Sequence, residues 1–261
     1  MQTWLEEKIG NPELFTGRKN ELTYFLNWAD RIKGKISQST AILSRRKTGK
    51  SALLQRLYNL TFQKNEKVIP FYFEIRETDQ WLHDFARNFL FTFILQYIAF
   101  KTRKKEYFHY TRGNYSRVLK ALEKEKLDYI SHMIEDAELA DRQEKTDLLW
   151  DIARELPRMA AEHTDERVLQ IIDEFQFINR FIFRDKSCKD RIDNLAGSYL
   201  HTCEYKNAPM LVAGSWVGWL MSFFLPVNSS GLPILSFSHI FIRMPLFFFE
   251  PSGRKFFRPD K

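Results

Sequence analysis

Ser39-Thr40-Ala41-Ile42-Leu43-Ser44-Arg45-Arg46-Lys47-Thr48-Gly49-Lys50-Ser51-Ala52-Leu53-Leu54 decides the fold. A short β-leaning run, Thr40–Leu43, enters a polar, basic turn that closes in Gly49-Lys50-Ser51. An apolar helical pattern continues at Leu53, Leu54, Leu57 and Leu60. Strand, loop and helix in this order are the context a phosphate-binding loop requires. The loop N–H groups and the N-terminus of the new helix face the phosphates in such a motif. Lys50 is then expected to reach the β- and γ-phosphates, and the Ser51 hydroxyl to ligate Mg²⁺. The motif G-x-x-x-x-G-K-[ST] begins with Gly, whereas this chain has Ser44, which resists positive φ more than Gly does.

A second motif lies about 120 residues further on. Val168-Leu169-Gln170-Ile171-Ile172 reads as an apolar strand that ends in Asp173-Glu174, the Walker B form. Beside a phosphate loop, Asp173 is expected to hold Mg²⁺ through water and Glu174 to orient and deprotonate the attacking water. For Gln176, just beyond, the readings are a contact with the γ-phosphate region or no role of its own, and the second is favoured. Pro209-Met210-Leu211-Val212-Ala213-Gly214-Ser215 is a further strand with a small polar end.

Around these motifs the chain alternates strand and helix patterns. Phe15-Thr16-Gly17 makes a turn into a helix with apolar positions at Leu22, Phe25, Leu26 and Ala29, ended by Gly34. Residues 68–73 read as a strand, and Pro70 places it at an edge or a strand end. Trp81, Leu82, Phe85, Phe89, Leu90, Phe93, Ile94 and Tyr97 mark a long amphipathic helix. The basic cluster of residues 101–105 reads as a solvated helix end rather than a nucleic-acid contact. Residues 115–161 carry two or three helices, with breaks expected near Ser131 and Pro157, and a helix is expected over 191–205. Residues 238–242 form the last strand candidate, in which His239 reads as a core or edge histidine.

The 261 residues suffice for one large domain, 44% hydrophobic and 28% charged. The 24 Phe and six Trp gather at residues 85–100 and in the last third, a density that signals core or a partner surface. The net charge of +7 permits DNA as a partner, although such an excess is commonly only surface charge. Cys188 and Cys203 form neither a disulfide framework nor a metal spacing, and read as reduced thiols of a cytoplasmic protein. The N-terminus lacks the basic segment and apolar core of a signal peptide. Residues 207–242 contain no Asp, Glu, Lys or Arg, but Pro209, Pro226, Pro233 and Asn228-Ser229-Ser230-Gly231 break the run, so a membrane span is not expected.

Together these residues resemble the archaeal-type ATPases of the STAND/AAA+-like class of P-loop NTPases. Four stretches carry the resemblance. Phe15-Thr16-Gly17-Arg18-Lys19-Asn20-Glu21-Leu22 is similar to the family's F-x-G-R-x-x-E-L opening. Arg45-Arg46-Lys47-Thr48-Gly49-Lys50-Ser51 is similar to its R-R-x-G-K-[ST] loop with one extra residue. Ile171-Ile172-Asp173-Glu174-Phe175-Gln176 resembles its strand ending in D-E-F-Q, and Leu211-Val212-Ala213-Gly214-Ser215 its later strand ending in G-S.

The resemblance implies an α/β fold, the P-loop NTPase three-layer sandwich with a mainly parallel central sheet. The ATPase domain is then expected over 1–246, with a helical insertion at about 79–161 and a tail at 247–261. The lid and winged-helix domains of family members are expected to be absent. ATP and Mg²⁺ are the implied cofactors, in an ATP-binding and ATP-hydrolysing switch that works with a protein partner. By the same resemblance Gly17 and Arg18 lie near the adenine, and Arg46, Lys47, Thr48, Gly49, Lys50, Ser51 and Ala52 bind phosphate. Ser51 and Asp173 hold the metal, Glu174 activates water, Ser215 senses the γ-phosphate, and Arg243 follows the last core strand. The alternative readings are a P-loop scaffold or DNA-associated module that has lost hydrolysis, and a small-molecule kinase.

Overall fold

The computed structural model describes residues 4–43, 46–110 and 113–215. The strands in chain order are β1 (Thr40–Leu43), β2 (Val68–Glu74), β3 (Gln80–Trp81), β4 (Arg167–Asp173), β5 (Ile182–Phe183) and β6 (Met210–Gly214). The helices are α1 (Lys19–Ile32), α2 (Lys50–Lys64), α3 (Leu82–Thr102), α4 (Tyr115–Lys124), α5 (Ser131–Arg142), α6 (Thr146–Glu162) and α7 (Leu195–Leu200). Four strands form a parallel sheet in the order β1-β6-β4-β2. Parallel neighbours need long crossovers, and helices supply them here. β3 and β5 form a separate two-residue parallel pair.

Strand register assigns the two faces of the sheet. Tyr72 pairs with Ile171, and Glu74 with Asp173, so these four residues share one face. Helix α2 lies on that face, where the Gln55 amide donates to the Tyr72 hydroxyl at 3.5 Å. The alternate residues, Phe71 and Phe73, face the other way and meet α3. Phe71 packs edge to face with Phe89 and Phe93, and Phe73 with Phe85 and Phe89. The long run of apolar residues in α3 follows from its position, since sixteen of its twenty-one residues are buried between the sheet, α6 and the helices outside. The molecule is thus α/β, with a parallel central sheet and helices on both faces.

Pro70 lies in β2, which has β4 as its one strand partner among the described residues. That edge position removes the need for a second ladder bond. The Gln96 side chain covers the exposed backbone there: Tyr72 N–H donates to Gln96 Oε1 and Gln96 Nε2 donates to the Tyr72 carbonyl, both at 2.8 Å. A buried amide thus takes up the backbone polar groups that an edge strand would leave unpaired.

Two sequence expectations need correction. Pro157 does not break a helix but sits buried inside α6. Packing of Leu149, Trp150, Ala153, Leu156 and Ala160, all buried, outweighs its local cost. The breaks fall at 125–130, just before Ser131, and at 143–145. The helix expected over 191–205 is confined to α7 and a 3₁₀ turn, His201–Glu204; the chain before it turns around the Asp185 carboxylate, which accepts from the Lys189 and Asp190 N–H groups at 2.9 and 2.6 Å. Such a carboxylate offers the backbone a turn in place of a helix.

The basic cluster at the end of α3 is largely engaged within the fold. Lys101 pairs with Glu166 at 2.7 Å and Lys104 with Glu125 at 2.6 Å. Arg103 lies over the rings of Trp4, Phe62 and Phe100. No helix among the described residues is long and apolar enough to cross a membrane. Ser44, the strand candidate at 238–242 with His239, Arg243 and the tail at 247–261 lie outside the described residues.

Candidate functional site

Parallel strands deliver the loops at their carboxyl ends to one edge of the sheet, where a crevice forms. Here β1 leads to the loop ending in Gly49-Lys50-Ser51, β4 ends at Asp173, and β6 lies between them and leads to Ser215. The register β1–β6–β4 therefore brings the three sequence motifs side by side.

The loop is shaped by left-handed backbone. Lys47 has φ 63° and Gly49 has φ 79°, and Gly49 caps α2. A Cβ on Gly49 would find space, with Arg18 Nε its nearest neighbour at 3.9 Å, so the positive φ is what calls for glycine. Lys50, Ser51 and Ala52 form the first turn of α2, whose leading N–H groups lack helical acceptors. Gly17, at φ 81°, places Arg18 at the start of α1, and the Arg18 guanidinium donates to the Thr48 carbonyl. Arg18 thus clasps the loop. Arg46 is exposed, pairs with Glu77 at 2.8 Å and lies over the Phe177 ring.

Lys50 is 4% exposed. Burial pulls its ammonium below the usual lysine range, opposed by the charges of Glu174 and Asp173 and reinforced by those of Arg18 and Arg46. Asp173 is fully buried, and burial pushes its carboxyl above the ordinary carboxylate range. The Ser51 hydroxyl donates to that carboxylate and opposes the rise, while Glu174 and Glu74 add to it. Tyr72 O–H donates to Asp173 Oδ2 at 3.1 Å, and the Glu174 N–H to Asp173 Oδ1 at 2.9 Å. A hydroxyl and a carboxylate at one point are hard oxygen donors of the kind that a small divalent cation takes. Among the described residues no group of three or more His, Cys, Asp or Glu side chains could hold a metal on its own.

The chain leaves β4 through Glu174 in left-handed backbone, φ 54°. This turn aims the half-buried Glu174 side chain towards β6, where Ser215 Oγ donates to Glu174 Oε2 at 3.3 Å. Gln176, 1% exposed, joins both: its Nε2 donates to Glu174 Oε2 and, at 3.1 Å, to Ser215 Oγ, and its Oε1 accepts from the Ser215 N–H at 3.2 Å.

Lys50, Ser51, Asp173, Glu174 and Ser215 therefore form one site, with Arg18 at its loop. Sequence reasoning missed Tyr72 and Gln176. Tyr72 had a weak signal, the one hydroxyl in a strand otherwise of Val, Ile, Pro, Phe and Glu, on the same strand parity as the acid that ends it. Gln176 stood in the D-E-F-Q stretch, but its partner Ser215 is 39 residues away.

Comparison of the chain with protein-family models, with curated proteins and with solved structures gives no match.

Proposed function

We propose that this protein is a P-loop NTPase of the STAND/AAA+-like class, an ATP-binding switch that hydrolyses ATP with Mg²⁺. The observation that carries the reading is the convergence at one sheet edge of a glycine-capped helix bearing Lys50-Ser51 and a strand ending in Asp173-Glu174, joined by the Ser51–Asp173 hydrogen bond. Two stretches distant in sequence meet at that edge, which supports the reading because a metal-bound triphosphate requires both.

In this reading Lys50 neutralises the β- and γ-phosphates, and the N–H groups of residues 47–51 cradle them. The burial cost of Lys50 suits that task, because a buried ammonium beside two acids gains when a polyanion arrives. Ser51 and Asp173 would hold Mg²⁺, which would supply charge neutralisation to the phosphates when bound. Glu174 orients the attacking water and accepts its proton, and Ser215 meets the γ-phosphate. Catalysis is then positioning plus electrostatic stabilisation.

The test is phosphate release from Mg-ATP by the wild type and by Glu174→Gln. The substitution keeps shape and removes the base. Hydrolysis falls about 10²-fold or more, and ATP binding survives. Equal turnover by the two proteins contradicts the role of Glu174. Tight ATP binding with no wild-type turnover favours a nucleotide-binding scaffold instead.

A further inference from the structure

Gln176 spends its side chain on the site. Its orientation is fixed by chemistry, because the backbone N–H of Ser215 can only donate, so Oε1 must face it and Nε2 must face Glu174. Both amide protons are then used, one on Glu174 Oε2 and one on Ser215 Oγ. Every one of these partners belongs to the two residues that the proposed reaction employs.

Proton counting gives this arrangement a consequence. The Ser215 oxygen accepts from Gln176, so its single hydroxyl proton is directed at Glu174. A phosphate oxygen beside Ser215 is an acceptor and competes for that same proton. When Ser215 turns to the phosphate, Glu174 Oε2 loses one of the two side-chain donors it has among the described residues and keeps the other, Gln176. Glu174 leaves the strand in left-handed backbone, where the charges of Lys50 and Arg46 also act on it, and the Gln176 amide is the hydrogen bond that still fixes its Oε2.

We infer that Gln176 is a positioning residue of the hydrolytic step: its buried carboxamide keeps the Glu174 carboxylate in place while Ser215 exchanges Glu174 for the γ-phosphate. The inference rests on the proposed hydrolysis of ATP. A buried glutamine that only satisfied its own polar atoms would affect stability and leave the base untouched. Gln176 instead ties the sensing strand β6 to the base after β4, so occupancy of one is felt at the other.

The test combines single-turnover hydrolysis, Mg-ATP affinity and melting temperature for Gln176→Met, alone and with Glu174→Gln. Methionine fills a similar volume and makes no strong hydrogen bond. Hydrolysis by Gln176→Met falls about 10- to 100-fold, the scale of a misplaced catalytic group, while Mg-ATP affinity stays within about threefold. In the Glu174→Gln background the same change costs nothing further, since the group it positions is no longer a base. Gln176→Asn keeps the amide and the fold but withdraws it by one methylene, and hydrolysis still falls by about tenfold.

Wild-type rates in Gln176→Met or Gln176→Asn overturn the inference, as does an equal loss in both backgrounds. A wild type that binds Mg-ATP without hydrolysing it, or does not bind it, overturns the hydrolytic reading itself and this inference with it. A hydrolysing wild type with indifferent Gln176 variants overturns the inference alone.

Discussion

Between α3 and the sheet, Phe71, Phe73, Phe85, Phe89 and Phe93 meet mainly edge to face, with every ring buried. At the carboxyl ends of the same strands, Lys50, Asp173 and Gln176 are buried instead, beside left-handed backbone at Lys47, Gly49 and Glu174. The first region removes apolar area from water and gives aromatic quadrupoles their preferred contacts, so it stabilises the fold. The second buries charge and bends backbone, both of which cost stability. Stability thus resides in the aromatic layer, which offsets the cost of the polar edge; in the proposed reading the phosphates of a nucleotide complete that edge. The two regions should therefore respond to substitution in opposite ways.

The largest effect is expected in the aromatic layer. Phe89 is fully buried and touches Phe71, Phe73, Trp150 and Tyr199. Phe89→Ala should lose about 3–5 kcal/mol in urea denaturation, with nucleotide affinity unchanged wherever the variant is folded. An affinity that fell in proportion would erase the separation between the two regions.

Tyr72 sits on the boundary, in the same strand as Phe71 but on the other face, and its hydroxyl orients Asp173. Tyr72→Phe should cost about 1–2 kcal/mol, because a buried carboxylate loses a donor. Mg²⁺-dependent nucleotide affinity should fall too, a change that Phe71→Leu would not cause. Unchanged magnesium dependence in Tyr72→Phe would remove Tyr72 from the site.

The smallest effect concerns pH. Burial lowers the Lys50 ammonium from its unfolded value, so just below that value the unfolded chain binds a proton that the folded chain has shed. Stability then rises with pH through that window and falls as pH drops through the folded value. Melting of the wild type against Lys50→Met between about pH 8 and 10 should show the wild type gaining on the variant. Parallel curves would mean that Lys50 is not held against its solvation.

Much of this was legible because it is local. The run Thr40–Leu43, the Gly49-Lys50-Ser51 turn and the leucines of α2 are neighbours in sequence, and the apolar strand before Asp173-Glu174 carries its own pattern. The Phe-rich face of α3 was visible in its spacing. Pro157 misled because local cost was read without the packing of α6 that overrides it. The two-residue pair β3–β5 is too short to leave a pattern. Tyr72 and Asp173 are 101 residues apart, and no periodicity links them. Gln176 looked idle for the same reason, since its hydrogen bonds reach Ser215, just past the end of β6. Polar networks that close across strands are written in topology, and sequence shows only their separate members.

In the proposed reading Lys50, Ser51 and Asp173 form one Mg-nucleotide site. Calorimetric titration of Mg-ATP into the wild type and into Lys50→Ala, with melting curves run alongside, decides whether they do. The wild type should bind and, at about 100 times its Kd, gain about 2.7 kcal/mol of stability. Lys50→Ala should lose both the heat of binding and the stabilisation while remaining folded. Equal binding and equal stabilisation in the two proteins would contradict the claim, since the nucleotide would then sit elsewhere.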